Sequence, residues 1–186
     1  MRLLSDYFFD YTNILSVSDH DRLIHLCETF DFPEIKKPKG EFYNLEGYRY
    51  QIALKPEHGE LYDLIHKAMM RTMPKVYRDF GDLLPGDYDK YSGYWLCKYP
   101  EGGFLSSHSD SDGDATSLTL SYNINDDYEG GQLCFWNDTY LLNTANTMHV
   151  YPSNLLYPHE VKPVTKGIRY SVITWFGNQK GETWSI

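Results

Sequence analysis

His108 and Asp110 stand two residues apart, and on an extended strand two such side chains share a face, so an imidazole and a carboxylate can converge on one ion. A second imidazole at His159 completes a set of three donors. Two histidines and one carboxylate on one side of an octahedral metal leave the other positions open. That arrangement suits a non-haem ferrous ion that must also hold a co-substrate and oxygen. Downstream, Arg169 and Ser171 have the same two-residue spacing in a stretch that reads as a strand. A guanidinium presents a fixed fork of donors that matches a carboxylate, which a lysine ammonium cannot reproduce.

Other residues compete for these roles. His149 could rival His159 but reads as structural, as do His20, His25, His58 and His66 in the helical part. The run Asp110, Asp112, Asp114 resembles part of a calcium loop, yet its glycine falls at the fourth position and no downstream glutamate is correctly spaced. Cys27, Cys97 and Cys134 are scattered and lack CxxC spacing, so they read as buried thiols and suggest neither a disulfide framework nor a thiolate zinc site.

The elements that must position these residues change character along the chain. Ser18 with Asp21 reads as an N-cap, followed by Leu23, Leu26, Cys27 and Phe30 at helical spacing and a stop at Asp31, Phe32 and Pro33. A second helix reads from about Glu57, striped by Leu61, Leu64, Ile65, Ala68, Met69, Met73, Val76 and Phe80 and stopped at Gly81. Pro74 is expected to kink or split it.

Glu41 to Leu54 reads as one or two strands with a turn near Asn44 to Gly47, and Gly81 to Ser92 as a loop. Eight short strands follow: Gly93 to Tyr99, Phe104 to His108, Ser117 to Asn123, Gln132 to Trp136, Tyr140 to Leu142, Thr147 to Tyr151, Leu155 to Glu160 and Ile168 to Phe176. Their spacing implies a double-sheet jelly roll or a barrel.

The chain of 186 residues fits one domain, with helical support over 1–90 and a β core over 91–178. A formal charge of -9 argues against a phosphate backbone as partner. The N-terminal stretch lacks the pattern of a signal peptide, and no stretch is apolar enough to span a bilayer, so a soluble cytoplasmic protein is expected. Seventeen tyrosines and four tryptophans read chiefly as core and edge packing of a β-rich fold.

Residues 98–110, Lys-Tyr-Pro-Glu-Gly-Gly-Phe-Leu-Ser-Ser-His-Ser-Asp, resemble the metal-binding entry of the prolyl 4-hydroxylase-like branch of 2-oxoglutarate/Fe(II) dioxygenases. Residues 117–125 and 129–135 look like its middle strands, and residues 158–171, leading into Trp175 and Phe176, like its closing strands. The resemblance implies a mostly β (α+β) fold, a double-stranded β-helix or jelly roll buttressed by N-terminal helices. It implies Fe(II) held by His108, Asp110 and His159, and 2-oxoglutarate held by Arg169 with Ser171 and Tyr99. Dioxygen would be consumed, with ascorbate as a candidate accessory reductant. Leu133 departs from the small polar residue that such proteins often carry after the paired glycines.

The reaction so implied is hydroxylation of a C–H bond with release of succinate and carbon dioxide, most naturally on a prolyl residue of a peptide or protein. Asp110 keeps the carboxylate that related halogenating enzymes lack. Position 175 is Trp where the nucleic-acid demethylase branch carries a second arginine, so no nucleic acid is expected. Two alternatives stand beside this reading: a catalytically silent jelly-roll binding or structural protein, and a hydroxylase of a free amino acid or other small molecule. The oligomeric state is left open.

Overall fold

The computed structural model describes residues 3–33, 47–81, 90–110, 118–177 and 182–183. The expected turn at 44–46, the loop over 82–89 and the acidic positions Asp112 and Asp114 lie outside them. The first helix, α1, spans Val17–Thr29. Its cap is Ser16 rather than the expected Ser18: the Ser16 hydroxyl accepts from the Asp19 amide at 3.3 Å and donates to the Asp19 carboxylate at 2.8 Å. That pairing satisfies one of the helix's orphan amides and places an acid in the first turn.

The second helix, α2, spans Glu60–Phe80 and begins three residues later than expected. Pro56 opens a short 3-10 turn over Pro56–His58, and Gly59 at φ 59° separates that turn from the helix. Pro74 removes one amide donor, yet α2 runs through it as a single helix. Nine buried side chains on both sides of Pro74 hold the two halves to one core. Each large apolar one contributes about 1.5–3 kcal/mol by leaving water. Met69 and Met73 are among them, as the helical stripe implied.

The strands in chain order are β1 Phe9–Thr12, β2 Gly47–Tyr48, β3 Tyr50–Leu54, β4 Lys90–Tyr91, β5 Tyr94–Tyr99, β6 Phe104–His108, β7 Leu118–Asn123 and β8 Glu129–Gly130. There follow β9 Leu133–Phe135, β10 Thr139–Tyr140, β11 Thr147–Pro152, β12 His159–Val161, β13 Val164–Lys166, β14 Arg169–Gly177 and β15 Glu182–Thr183. In the larger sheet β14 is central, with β7, β11 and β1 on one side and β5 with β3 on the other. The β4–β15 pair joins its far end. The smaller sheet runs β10-β9-β12-β6-β2, and β8 pairs with β13. All the pairings are antiparallel, and the architecture is the jelly roll expected from the strand spacing.

One strand shifts from its expected place. Residues 155–158 are not part of the strand expected over Leu155 to Glu160, which begins only at His159. The Tyr157 amide donates to the Asn154 carbonyl at 3.0 Å, closing a turn that leaves Leu155 and Leu156 exposed. The strand over 132–136 is also trimmed, because Trp136 and Asn137 adopt positive φ and turn the chain into β10.

Alternation along the central strands gives the larger sheet two buried faces. Leu96, Leu120, Tyr122, Met148, Val150, Val172 and Phe176 face α1 and α2. Cys97, Tyr99 and Tyr151 face the smaller sheet, where they meet Leu105, Leu133, Phe135 and Val161. The polar residues of interest lie on this second face. Among the described residues no helix is long and apolar enough to cross a membrane.

Candidate metal centre and carboxylate cradle

His159 is registered directly opposite His108 across the β6–β12 pair. Asp110 follows two residues beyond the end of β6. Its two carboxylate oxygens lie 3.4 Å from His108 Nε2 and 3.5 Å from His159 Nε2. One donor atom from each residue falls within 4.8 Å of the others, the one such group found among the described residues. The structure therefore brings together the three residues expected from the sequence.

The orientation of both rings is fixed from behind. His108 Nδ1 lies 2.9 Å from the Ser106 carbonyl, and His159 Nδ1 lies 3.1 Å from the Tyr157 carbonyl. A carbonyl only accepts, so each Nδ1 carries the hydrogen and each Nε2 turns a lone pair toward Asp110. Thr119, on β7, donates to Asp110 Oδ2 at 2.6 Å and shares a hydrogen bond with Ser153 at 2.8 Å.

Burial pushes the Asp110 carboxyl up. The adjoining His108 imidazole, the charge of His159 and the Thr119 hydroxyl outweigh it and hold the group at about 2. Burial lowers the His159 imidazole below its ordinary value, against an opposing pull from Asp110. At neutral pH the site thus offers an ionised carboxylate and, at His159, an uncharged imidazole, the protonation states that metal ligation needs. Three acceptors converging in a buried space fit a divalent cation.

On the facing sheet, Arg169 is registered opposite Tyr99 and its guanidinium lies 5.1 Å from that ring's centroid. Arg169 is 3 % exposed, and Nη1 donates to Ser171 Oγ at 3.1 Å. Among the described residues no carboxylate pairs with it, and both its Nε and the Tyr99 hydroxyl are buried without hydrogen-bond partners. A buried cation beside an unpartnered donor is costly unless an anion completes it. Arg169, Ser171 and Tyr99 therefore form a cradle that fits a ligand carboxylate.

The paired glycines make room for that cradle. Gly130 and Gly131 have φ of 74° and 65°, where side chains are strained. A Cβ on Gly130 would land on the Pro163 carbonyl oxygen, and one on Gly131 would come within 3.2 Å of Arg169 Cδ. Leu133, two residues on, is buried in the core between the sheets.

Sequence reasoning missed Thr119, Tyr128 and Tyr151. The Thr119 signal was present as alternation, since β7 turns Thr119, Ser121 and Asn123 to the site face. Tyr128 donates to Asn123 at 2.9 Å, and its hydroxyl lies beside the Arg169 guanidinium. His149 is structural, its Nδ1 2.7 Å from Asp10. His20 and His66 likewise engage Ile124 and Tyr94, away from the site.

Residues 94–177 match the family model described as the 2OG-Fe(II) oxygenase superfamily. No curated protein matches the chain in sequence. Among solved structures, a Pseudomonas putida prolyl-4-hydroxylase is similar at TM-score 0.72 and 19 % identity, covering 93 % of each chain. A Trichoplax adhaerens prolyl hydroxylase, in complex with a hypoxia inducible factor oxygen degradation domain peptide fragment, is similar at TM-score 0.70 and 18 % identity. That match covers 95 % of this chain and 86 % of the other. A viral collagen prolyl hydroxylase from Paramecium Bursaria Chlorella virus-1, solved as a 2OG complex, also gives 0.70 and 18 %, over 91 % and 95 %. At these identities the structural likeness is one of fold.

Proposed function

We propose that this chain, whose residues 94–177 match the family model of the 2OG-Fe(II) oxygenase superfamily, is a 2-oxoglutarate/Fe(II) dioxygenase that hydroxylates a prolyl residue of a peptide or protein and releases succinate and carbon dioxide. The observation that carries this reading is the convergence of His108, Asp110 and His159 beside the smaller sheet, with the Arg169 cradle on the facing sheet and no carboxylate among the described residues paired with it. Ferrous iron, with 2-oxoglutarate and dioxygen, supplies the oxidising chemistry when bound.

The chain's own residues hold and orient. His108 and His159 offer Nε2 lone pairs fixed by their backbone hydrogen bonds, and Asp110 offers a carboxylate steadied by Thr119. Arg169 takes the distal carboxylate of 2-oxoglutarate, with Ser171 and Tyr99 as further donors. Burial of Arg169, Tyr99 and Tyr151 keeps water from these groups and strengthens their electrostatic hold.

A peptide is favoured as substrate because the fold is shared with prolyl hydroxylases, one of them solved with a peptide fragment. The exposed Asp126, Asp127 and Glu129 favour a basic one. Succinate formation is measured with Fe(II), 2-oxoglutarate and a panel of proline peptides of differing charge. The reading expects peptide-dependent succinate and a mass gain of one oxygen on proline, strongest for basic peptides. Succinate stimulated by free amino acids, but by no peptide, would replace the peptide with a small-molecule substrate.

A further inference from the structure

His159 differs from the other two metal-binding side chains in what steadies it. His108 is oriented by a carbonyl of its own strand, β6, and Asp110 by Thr119 on β7. The carbonyl that orients His159 belongs to Tyr157, which lies outside β12 in the turn that precedes it. Strand pairing therefore places the His159 backbone, while the direction of its ring depends on how that turn is held.

The turn is held by residues 3–8, remote in sequence. A short 3-10 turn over Leu4–Tyr7 leads into β1, and the pairing of Phe9 with Val150 carries the preceding Phe8 to the level of Tyr151. The Tyr157 hydroxyl donates to the Leu4 carbonyl at 3.1 Å, across 153 positions of sequence. The Phe8 ring meets Tyr157 edge-on with centroids 5.8 Å apart, and it meets Phe135 at 4.6 Å and Tyr151 at 6.4 Å. Phe135 and Tyr151 in turn pack on the His159 imidazole, at 5.2 Å and 5.1 Å. One ring thus reaches three residues that set the imidazole: the one that accepts from its Nδ1 and two that flank it. None of Leu4–Tyr7 is buried, so this segment can lift from Tyr157 without opening either sheet.

We propose that Phe8, together with the Leu4 carbonyl, positions His159 for metal binding. Seated, residues 3–8 hold Tyr157 where its carbonyl aims Nε2 toward Asp110; unseated, they leave the imidazole free to turn. The inference rests on the metal-centre reading above and adds to it a remote determinant of metal affinity.

The test compares two neighbouring rings on opposite sides of the larger sheet. Phe9 packs on Phe80 at 4.7 Å, so Phe9→Ala removes a ring from the helical side instead. Wild type, Phe8→Ala, Phe8→Leu, Phe9→Ala and Tyr157→Phe are titrated anaerobically with Fe(II) and with Co(II), the latter followed by its visible spectrum. The metal-free proteins are also melted. Phe8→Ala is expected to weaken metal Kd roughly tenfold and to alter the Co(II) spectrum, with most of the affinity restored in Phe8→Leu. Tyr157→Phe keeps its ring and loses only the hydroxyl, and is expected to weaken metal Kd about threefold. Phe9→Ala is expected to lower the thermal midpoint while metal Kd and spectrum stay as in wild type. Equal weakening in Phe8→Ala and Phe9→Ala would reduce the effect to general stability and overturn the inference, as would an unchanged metal Kd in Phe8→Ala. If Phe8→Ala does not fold, Tyr157→Phe decides, and unchanged affinity and spectrum there overturn it. A wild type that binds neither metal would overturn the metal-centre reading and this inference with it.

Discussion

His108 and His159 face one another across the β6–β12 pair, 51 positions apart in sequence, with ring centroids 4.4 Å apart. One strand register therefore sets the distance between two donors, and Asp110 needs only to turn back from the end of β6 to complete the set. The site is as rigid as the smaller sheet that bears it.

Thr119 reaches Asp110 from the other sheet, and its loss frees the carboxylate to rotate. Thr119→Val keeps the shape and removes the donor. Metal affinity is expected to fall by roughly 10–100-fold, as for other partners that orient ligands, with the thermal midpoint little changed. Anaerobic metal titration with a melting curve checks both.

Arg169→Lys retains a positive charge but not the planar fork. If a carboxylate occupies the cradle, 2-oxoglutarate affinity falls about tenfold or more while metal affinity holds. Calorimetric titration of 2-oxoglutarate into metal-loaded protein decides it, and equal affinity in the variant would remove Arg169 from the role.

Gly131→Ala combines a strained backbone position with a contact on Arg169 Cδ. It is expected to cost on the order of 1–3 kcal/mol of stability and to weaken 2-oxoglutarate binding as well. Chemical denaturation and the same titration give the two values. Loss of stability with no change in binding would confine Gly131 to a backbone role.

The acid response follows from two shifts of the same sign in stability. His159 has a depressed value in the fold, so as pH falls through the ordinary imidazole value of about 6.5 the unfolded chain takes up a proton first and stability declines. Asp110, held at about 2, contributes stability above the ordinary carboxyl value of about 4 that is lost as pH falls toward 2. Melting curves of metal-free protein between pH 8 and pH 5 are expected to fall more steeply for wild type than for His159→Gln. Parallel curves would contradict the burial argument.

Legibility followed the range of each interaction. The spacing of His108 and Asp110, and of Arg169 and Ser171, is local and readable as alternation along a strand. The strand over 104–108 was placed residue for residue for the same reason. What the sequence could not display was cross-strand partnership. The Thr119 hold on Asp110 and the Tyr151 approach to His159 depend on how β7, β11 and β12 are stacked across two sheets.

Local competition explains the other differences. Ser16 and Ser18 both precede apolar spacing, and the better-placed Asp19 decided for Ser16. Leu155 and Leu156 have strand-like side chains, but Asn154 turns the chain beneath them. Pro74 is tolerated because tertiary burial along α2 outweighs a local propensity.

The central claim is that His108, Asp110 and His159 hold one metal through which the chain binds 2-oxoglutarate. Anaerobic equilibrium titration of wild type, His108→Ala and His159→Ala with Fe(II), followed by 2-oxoglutarate, tests it most directly. One Fe(II) and one metal-dependent 2-oxoglutarate per wild-type chain, with both lost in the two variants, is the expected result. Fe(II) bound equally well by either variant, or 2-oxoglutarate bound equally well without metal, would contradict it.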